Sequence, residues 1–133
     1  MIEFTIPGQP KPQGRPRFFR RGKFVGTYDP KDSASYKDKV AHYARLAGVM
    51  PLAAPVKVGM KFIFQRPQTL MRKSSPDGLL PCPKRPDMDN LMKAVMDALI
   101  AIAWIDDSQI VNAVVQKLYC EKDGVARTEI WIE

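Results

Sequence analysis

Between residues 7 and 16, six of ten positions are proline or glycine: Pro7, Gly8, Pro10, Pro12, Gly14 and Pro16. Proline has no backbone donor and cannot sit inside a helix, and glycine loses the most backbone freedom on ordering, so no regular element runs through this stretch. Before it, residues 2–6 alternate apolar and polar side chains as a short strand does. The whole segment "PGQPKPQGRPRFFRRGKF" reads as an irregular, semi-rigid loop. Its arginines interleave with Phe18, Phe19 and Phe24, which suits a groove that holds phosphates with Arg and bases or sugars with rings. The alternative is a solvated basic loop whose phenylalanines tuck into the core.

Beyond this break the pattern alternates between helix and strand. Residues 32–48 predict a helix, with Asp32 or Ser33 as N-cap, Tyr36, Val40, Tyr43 and Ala47 as its apolar stripe, and Gly48 as its stop. His42, the only histidine, falls on the opposite face and reads as incidental. "VKVGMKFIF" sets Val56, Val58, Met60, Phe62 and Phe64 on one face of a half-buried strand and Lys57 and Lys61 on the other. Residues 65–86, rich in proline and basic residues, read as a structureless loop that touches the ligand and is ordered by it. A second helix over 89–102 would bury Leu91, Val95, Ala98 and Ile102. "IVNAVVQKLYC" and "ARTEIWI", joined through Lys122, Asp123 and Gly124, predict an antiparallel hairpin. The expected fold is one α+β domain over 1–133: a mixed sheet in the order β-α-β-α-β-β with two helices packed on it. A chain of 133 residues is long enough for one core and too short for two.

Charge is distributed unevenly along the chain. The net charge is +7, which favours polyanionic partners, nucleic acid first among them. Residues 1–27 carry Lys11, Arg15, Arg17, Arg20, Arg21 and Lys23 against Glu3, a balance of +5. Residues 61–86 carry Lys61, Arg66, Arg72, Lys73, Lys84 and Arg85 against Asp77, again +5. Residues 87–107 reverse this to −4, with Asp87, Asp89, Asp97, Asp106 and Asp107 against Lys93. An acidic pocket between two basic loops is what a metal-dependent enzyme acting on a phosphate backbone requires. The DNA-binding candidates are Lys11, Arg15, Arg17, Arg20, Arg21, Lys23, Arg72, Lys73, Lys84 and Arg85. Two cysteines, Cys82 and Cys120, provide neither a disulfide framework nor a four-cysteine zinc site and read as free intracellular thiols. With no signal-peptide pattern and no membrane-length apolar run, the expectation is a soluble cytoplasmic protein.

Asp87 and Asp89 stand where irregular chain becomes helix, so their carboxylates can converge, and hard oxygen donors select Mg²⁺, with Mn²⁺ as a substitute. A short return after the helix can bring Asp106 or Asp107 beside them. Lys93, one turn past Asp89, would neutralise transition-state charge or orient the attacking water, with Asp97 a further turn on to hold it. Against this stand simpler roles: Asp87 and Asp89 as helix caps, Lys93 and Asp97 as a surface pair, Asp106 and Asp107 as turn residues. Met92 and Met96 flank the acidic stripe and suit the edge of the core or a dimer interface.

"RPDMDNLMKAVMDAL", followed after four residues by "WIDDSQIV", resembles the RusA family of Holliday-junction resolvases, whose motif is a D-x-D-N-L-x-K helix start followed by a D-D-x-Q segment. The opening "FTIPGQPKPQGRPRF" is similar to the start of phage and prophage members. The resemblance implies a bacterial, prophage-derived homodimer that uses Mg²⁺ to resolve four-way DNA junctions by paired symmetric nicks, in DNA recombination and repair. It carries the metal carboxylates onto Asp87, Asp89 and Asp107 and the essential lysine onto Lys93, with Asp106 as the preceding acid. Where many members have Asn-Gly after "DAL", this chain has Ile100-Ala101. The alternatives are a non-catalytic module that binds branched DNA and a nuclease for other branched substrates.

Overall fold

The computed structural model describes residues 1–14, 17–28 and 31–133, the side chains of Arg17, Thr27 and Tyr28 excepted. In chain order it contains β1 (Ile2–Pro7), β2 (Arg17–Arg21), β3 (Phe24–Tyr28), α1 (Lys31–Leu46), β4 (Val56–Phe64), β5 (Leu80–Pro81), α2 (Met88–Ala98), β6 (Ile110–Tyr119) and β7 (Arg127–Ile132), with 3₁₀ turns at Gln68–Leu70 and Asp107–Gln109. β1, β7, β4, β6 and β5 form one mixed sheet in that order, while β2 and β3 form a separate two-stranded ribbon. The expected α+β class, mixed sheet and two helices are present in a single domain. The element order differs, because β2 and β3 fold as a hairpin within the segment read as irregular, and β5 lies in the segment read as structureless.

β4 is the centre of the sheet. Only Lys57 and Lys61 are exposed along it. The five apolar residues expected to be buried are buried, and so is Ile63 on the opposite face. Gly59 is there for a steric reason: a Cβ at this position would lie 1.9 Å from Nε1 of Trp131, whose indole covers the strand. β4 runs parallel to β6 and antiparallel to β7, so it separates the two strands expected to form a hairpin. The turn at Lys122–Gly124 exists, with Gly124 N donating to Glu121 O at 2.9 Å, but it carries the chain across β4 rather than back along β6. The strongly apolar β4 gains a partner on each side this way, which buries its backbone and both its faces.

Two helices cover one face of the sheet. α1 begins at Lys31, which puts Asp32 and Ser33 inside its first turn rather than at the cap. The Ser33 hydroxyl is buried and accepts from Gly14 N at 3.2 Å, tying the proline-rich segment to the helix. The buried stripe is Ser33, Tyr36, Val40 and Ala44. Tyr43 is half-buried, and Ala47 is exposed because Gly48, at φ +82°, ends the helix. There Val49 N reaches Ala44 O and Gly48 N reaches Arg45 O, the paired bonds of a glycine-terminated helix. His42 is exposed as expected. α2 buries Leu91, Ala94 and Val95, followed by Leu99. It ends at Ala98, earlier than expected, so Ile102 leaves the helical phase and is half-buried along with Ala98. Ala101 takes φ +66°, a conformation that glycine adopts far more readily. Met92 and Met96 pack against the core edge.

Residues 65–86 are held by the chain itself. Arg66, 4% exposed, donates from Nε to Cys120 O at 2.7 Å, from Nη1 to Leu70 O at 2.8 Å and Pro76 O at 2.9 Å, and from Nη2 to Gly78 O at 2.6 Å. Asp77 Oδ1 accepts from Gly78 N and Lys122 N, which joins this segment to the β6–β7 turn. Deep on the helix side, the Tyr36 hydroxyl and Thr128 Oγ1 share a hydrogen bond of 2.7 Å between α1 and β7.

Two predictions follow from these buried polar groups. Arg66→Lys keeps the charge but not the planar fork, and with three donors for four acceptors loses at least one of the four bonds. We expect roughly 3 kcal/mol of lost stability and new protease cuts between residues 67 and 80, read by denaturant melts and limited proteolysis. Burial raises the Tyr36 pKa from 10.0 to about 12, the Thr128 hydrogen bond opposing. A phenol with a folded pKa above its unfolded value contributes stability below pH 10 that is lost as pH rises to about 12. The loss is roughly 2–3 kcal/mol. Melts across this range should show that fall in the wild type and a flatter profile in Tyr36→Phe.

Candidate active site and nucleic-acid face

Asp87 is the N-cap residue of α2, yet its side chain makes no capping hydrogen bond, and Asp89 follows in the first turn. Both are exposed. Carboxylates at a helix N-terminus are favoured by the helix dipole, and here the oxygens of Asp87 are not spent on backbone amides. The helix start is braced from outside instead: Gln13 N donates to Asn90 O at 2.9 Å, so the proline-rich segment lies against it. Together they enclose a cavity of about 500 Å³ lined by Lys11, Arg85, Asp87, Asn90, Gln9 and Gln13, among others. Lys11 and Arg85, two of the expected phosphate contacts, thus stand beside Asp87. The glutamines and Asn90 were not anticipated as part of this wall. Only the N of the D-x-D-N motif signalled any of them.

Lys93 is exposed one turn past Asp89 and forms no ion pair among the described residues. Asp97 does not hold it. The Asp97 carboxylate pairs with Lys37 Nζ of α1 at 3.3 Å, a cross-helix contact that the order of residues along α2 cannot reveal. Lys93 is therefore left facing outward between Asp89 and Asp97.

The two later aspartates behave differently from each other. Asp106 caps the 3₁₀ turn: its carboxylate accepts from Ser108 N at 3.3 Å and from the Ser108 hydroxyl, and those bonds lower its pKa. Gln109 Oε1 reciprocates on Asp106 N at 3.0 Å, so the D-x-x-Q spacing is a capping box. Asp107 is half-buried and accepts from Trp104 Nε1 at 3.0 Å. Desolvation raises its pKa, the Trp104 bond opposes, and the negative charges of Asp97 and Asp106 add to the rise.

Asp97 and Asp106 are the charges that bear on Asp107. Among the described residues of one chain no three acidic, histidine or cysteine side chains are grouped to hold a metal. The turn after α2 brings Asp107 back beside the C-terminal part of the helix. Asp87 and Asp89 alone still fit Mg²⁺, which is usually held by one or two carboxylates and completed by water and substrate phosphate.

The other basic candidates surround this face unevenly. Arg20, Arg21 and Lys23 are exposed on the β2–β3 ribbon, as are Arg72, Lys73, Lys84 and Arg85 in the segment before α2. Arg15 and the side chain of Arg17 lie outside the described residues. Phe18 and Phe24 are 77% and 63% exposed, so they do not tuck into the core. Phe19 lies over Gly26, whose place a Cβ would contest at 2.5 Å, and packs on Phe24 at 5.9 Å between ring centres. The ribbon thus presents rings and cations together. No described helix is long and apolar enough to cross a membrane, and Cys82 and Cys120 are both buried.

Comparison with known proteins agrees with the motif. The family model described as endodeoxyribonuclease RusA matches residues 7–133. The uncharacterized protein YqaN of Bacillus subtilis (strain 168) is 35% identical over 130 residues, covering 93% of this chain and 92% of that protein. The crossover junction endodeoxyribonuclease RusA of Escherichia coli (strain K12) is 31% identical over 119 residues, covering 86% and 83%. The protein of that name from Enterobacteria phage 82 is 30% identical over the same length and shares. With its D-x-D-N-L-x-K helix start in place and the match running from the end of β1 to the last residue, the chain belongs to the RusA endodeoxyribonuclease family.

Proposed function

We propose that this protein is a Mg²⁺-dependent, structure-selective endonuclease that resolves four-way DNA junctions by paired symmetric nicks, acting as a homodimer in recombination and repair. The observation that carries the reading is the start of α2, where the uncapped carboxylate of Asp87 shares a cavity wall with Lys11 and Arg85. The names of the relatives from Escherichia coli and phage 82 supply the branched substrate.

Asp87 and Asp89 would hold the ion, which when bound polarises the scissile phosphate and lowers the pKa of its water. Lys11 and Arg85 hold the flanking phosphates of the strand in the cavity, fixing its register. Lys93 faces the reacting phosphate from the next turn and stabilises the charge that builds on its oxygens. The exposed rings of Phe18 and Phe24 give unstacked bases at a branch point a surface to lie on, with Arg20, Arg21 and Lys23 on their phosphates. Asp107 would supply the third carboxylate to that ion. A twofold pair of such sites matches the near-symmetry of a four-way junction and accounts for paired nicks.

One observation favours a second reading. The exposed rings and cations of the β2–β3 ribbon would equally serve a module that binds branched DNA without cutting it, and that is the competitor. A synthetic four-way junction, other branched DNAs and linear duplex, digested side by side in Mg²⁺, Mn²⁺ and chelator, separate these readings. Paired nicks in the four-way junction, with metal only, support the resolvase. Tight binding with no cut in either metal decides for the module, and preference for another branched substrate decides for a different nuclease.

Asp89→Asn should abolish cutting while junction affinity holds or rises through lost repulsion. Asp107→Asn should likewise abolish cutting; a loss far smaller than that of Asp89→Asn would mean that Asp107 does not reach the ion. Lys93→Ala should lower single-turnover cleavage by roughly 10²–10³-fold with binding nearly unchanged. A parallel loss of affinity would make Lys93 a phosphate anchor instead.

A further inference from the structure

A second hollow adjoins the cavity that Asp87 lines. It measures about 240 Å³ and lies between the proline-rich segment and α1, lined by Gln9, Lys11, Asp32, Ser35, Tyr36 and Lys39. Gln9 and Lys11 belong to the walls of both, so a chain that leaves the first cavity past Lys11 enters the second. Ser35 and Lys39 stand one turn apart on α1, which sets their Cβ atoms about 5–6 Å from each other. Tyr36 is buried and its hydroxyl is engaged with Thr128, so it lines the hollow with its ring rather than with a polar group.

The ammonium of Lys39 is held in place on this wall. It donates to Pro7 O, and it lies so close over Gly8 that a Cβ there would come within 2.6 Å of Nζ. Gly8 takes φ +100°, which glycine alone adopts easily, so the backbone and the lysine fit each other. An ammonium has three donors, and one is used here. Two remain for a ligand. Neither Lys39 nor Lys11 forms an ion pair among the described residues, although Asp32 shares the wall. A side chain already anchored at its tip loses less freedom on binding than one that moves in solvent.

Two ammonium groups and a hydroxyl against one carboxylate select an anion. The phosphodiester chain assigned to the first cavity carries one negative charge per nucleotide, so beyond the phosphate at Lys11 another must follow. We propose that this hollow is a second phosphate subsite, in which Lys39 and the Ser35 hydroxyl hold the phosphodiester next beyond the one at Lys11 on the strand that is cut. Asp32, on the same wall, repels any further phosphate and ends the track. The inference rests on the reading that the first cavity receives DNA, and it adds a direction. One fixed phosphate places a strand, whereas two in succession aim it from the start of α2 along α1.

Affinity for a synthetic four-way junction, followed by fluorescence anisotropy in chelator over a salt series, tests the subsite. Lys39→Gln is compared with Lys57→Gln, which removes the same charge from an exposed residue that lines neither cavity. Lys39→Gln should weaken binding by roughly three- to tenfold and flatten the log–log salt slope by about 0.9, the share of one phosphate. Lys57→Gln should leave the slope unchanged. A wild-type slope in Lys39→Gln, or the same change in both variants, overturns the proposal. Should Lys39→Gln loosen the proline-rich segment and melt lower, junctions carrying one uncharged methylphosphonate at successive positions decide. One position should weaken the wild type and make no further difference to Lys39→Gln, and the lack of any such position overturns the subsite. A wild type that shows this pattern but never cuts in Mg²⁺ or Mn²⁺ counts against the nuclease reading and leaves the subsite standing. Cutting by a wild type whose affinity Lys39→Gln matches strikes the subsite alone.

Discussion

The parallel pairing of β4 with β6 is the constraint on which the rest of the molecule depends. Two parallel neighbours cannot be joined by a tight turn, so the chain between Phe64 and Ile110 must return across the sheet before β6 can start. α2 is that return. It runs back over the helix-side core, with its N-terminus at the end where β4 finishes and its C-terminus at the end where β6 begins. Asp87 and Asp89 are delivered to one end of the crossover and Asp107 to the other. The division of the acidic residues into an exposed pair and a Trp104-bonded partner of Asp97 follows from topology before any detail of side-chain chemistry.

The same crossover decides what the basic residues can do. Arg66 sits at the exit of β4, and its guanidinium is consumed by four carbonyl oxygens that shape the route to α2. Arg127 is likewise engaged by Glu121 and Glu129 on the other side of the sheet, and Lys37 by Asp97. The formal charge of +7 therefore overstates how evenly cations are available to a polyanion. Exposed cations remain beside the start of α2 and on the β2–β3 ribbon, among them Lys11, Arg85, Lys84, Arg20, Arg21 and Lys23, and others lie elsewhere, as at Lys57 and Lys61. Lys11 and Arg85 draw a phosphate backbone to the cavity wall that also presents the uncapped Asp87 carboxylate.

Local patterns were legible in the sequence. The period-2 alternation of β1 and β4, the 3.6-residue stripe of α2 and the glycine stop of α1 all depend on neighbours a few residues apart, and all four are present, the α2 stripe only as far as Leu91 and Val95. Partnerships across the chain were not legible. A strand pair separated by a plausible turn reads as a hairpin, and nothing in "IVNAVVQKLYC" or "ARTEIWI" tells of a third strand between them. The β2–β3 ribbon was hidden by the prolines before it, whose effect stops at residue 16. In the site, the D-x-D-N-L-x-K motif marked the right helix start and D-D-x-Q the right turn. The Lys37 contact that engages Asp97 is tertiary and leaves no trace in spacing, whereas the Trp104 bond to Asp107 spans only three residues.

Gly59 and Trp131 carry a consequence of another kind. The indole occupies the space where a side chain at position 59 would begin, on adjacent strands at the centre of the sheet. Neither residue is free to drift alone: a lineage that gains a Cβ at 59 must first have shed the ring at 131, and one that sheds the ring leaves β4 uncovered until 59 fills the gap. The two positions should change together or not at all, so they form one heritable unit, although seventy-odd residues of sequence lie between them.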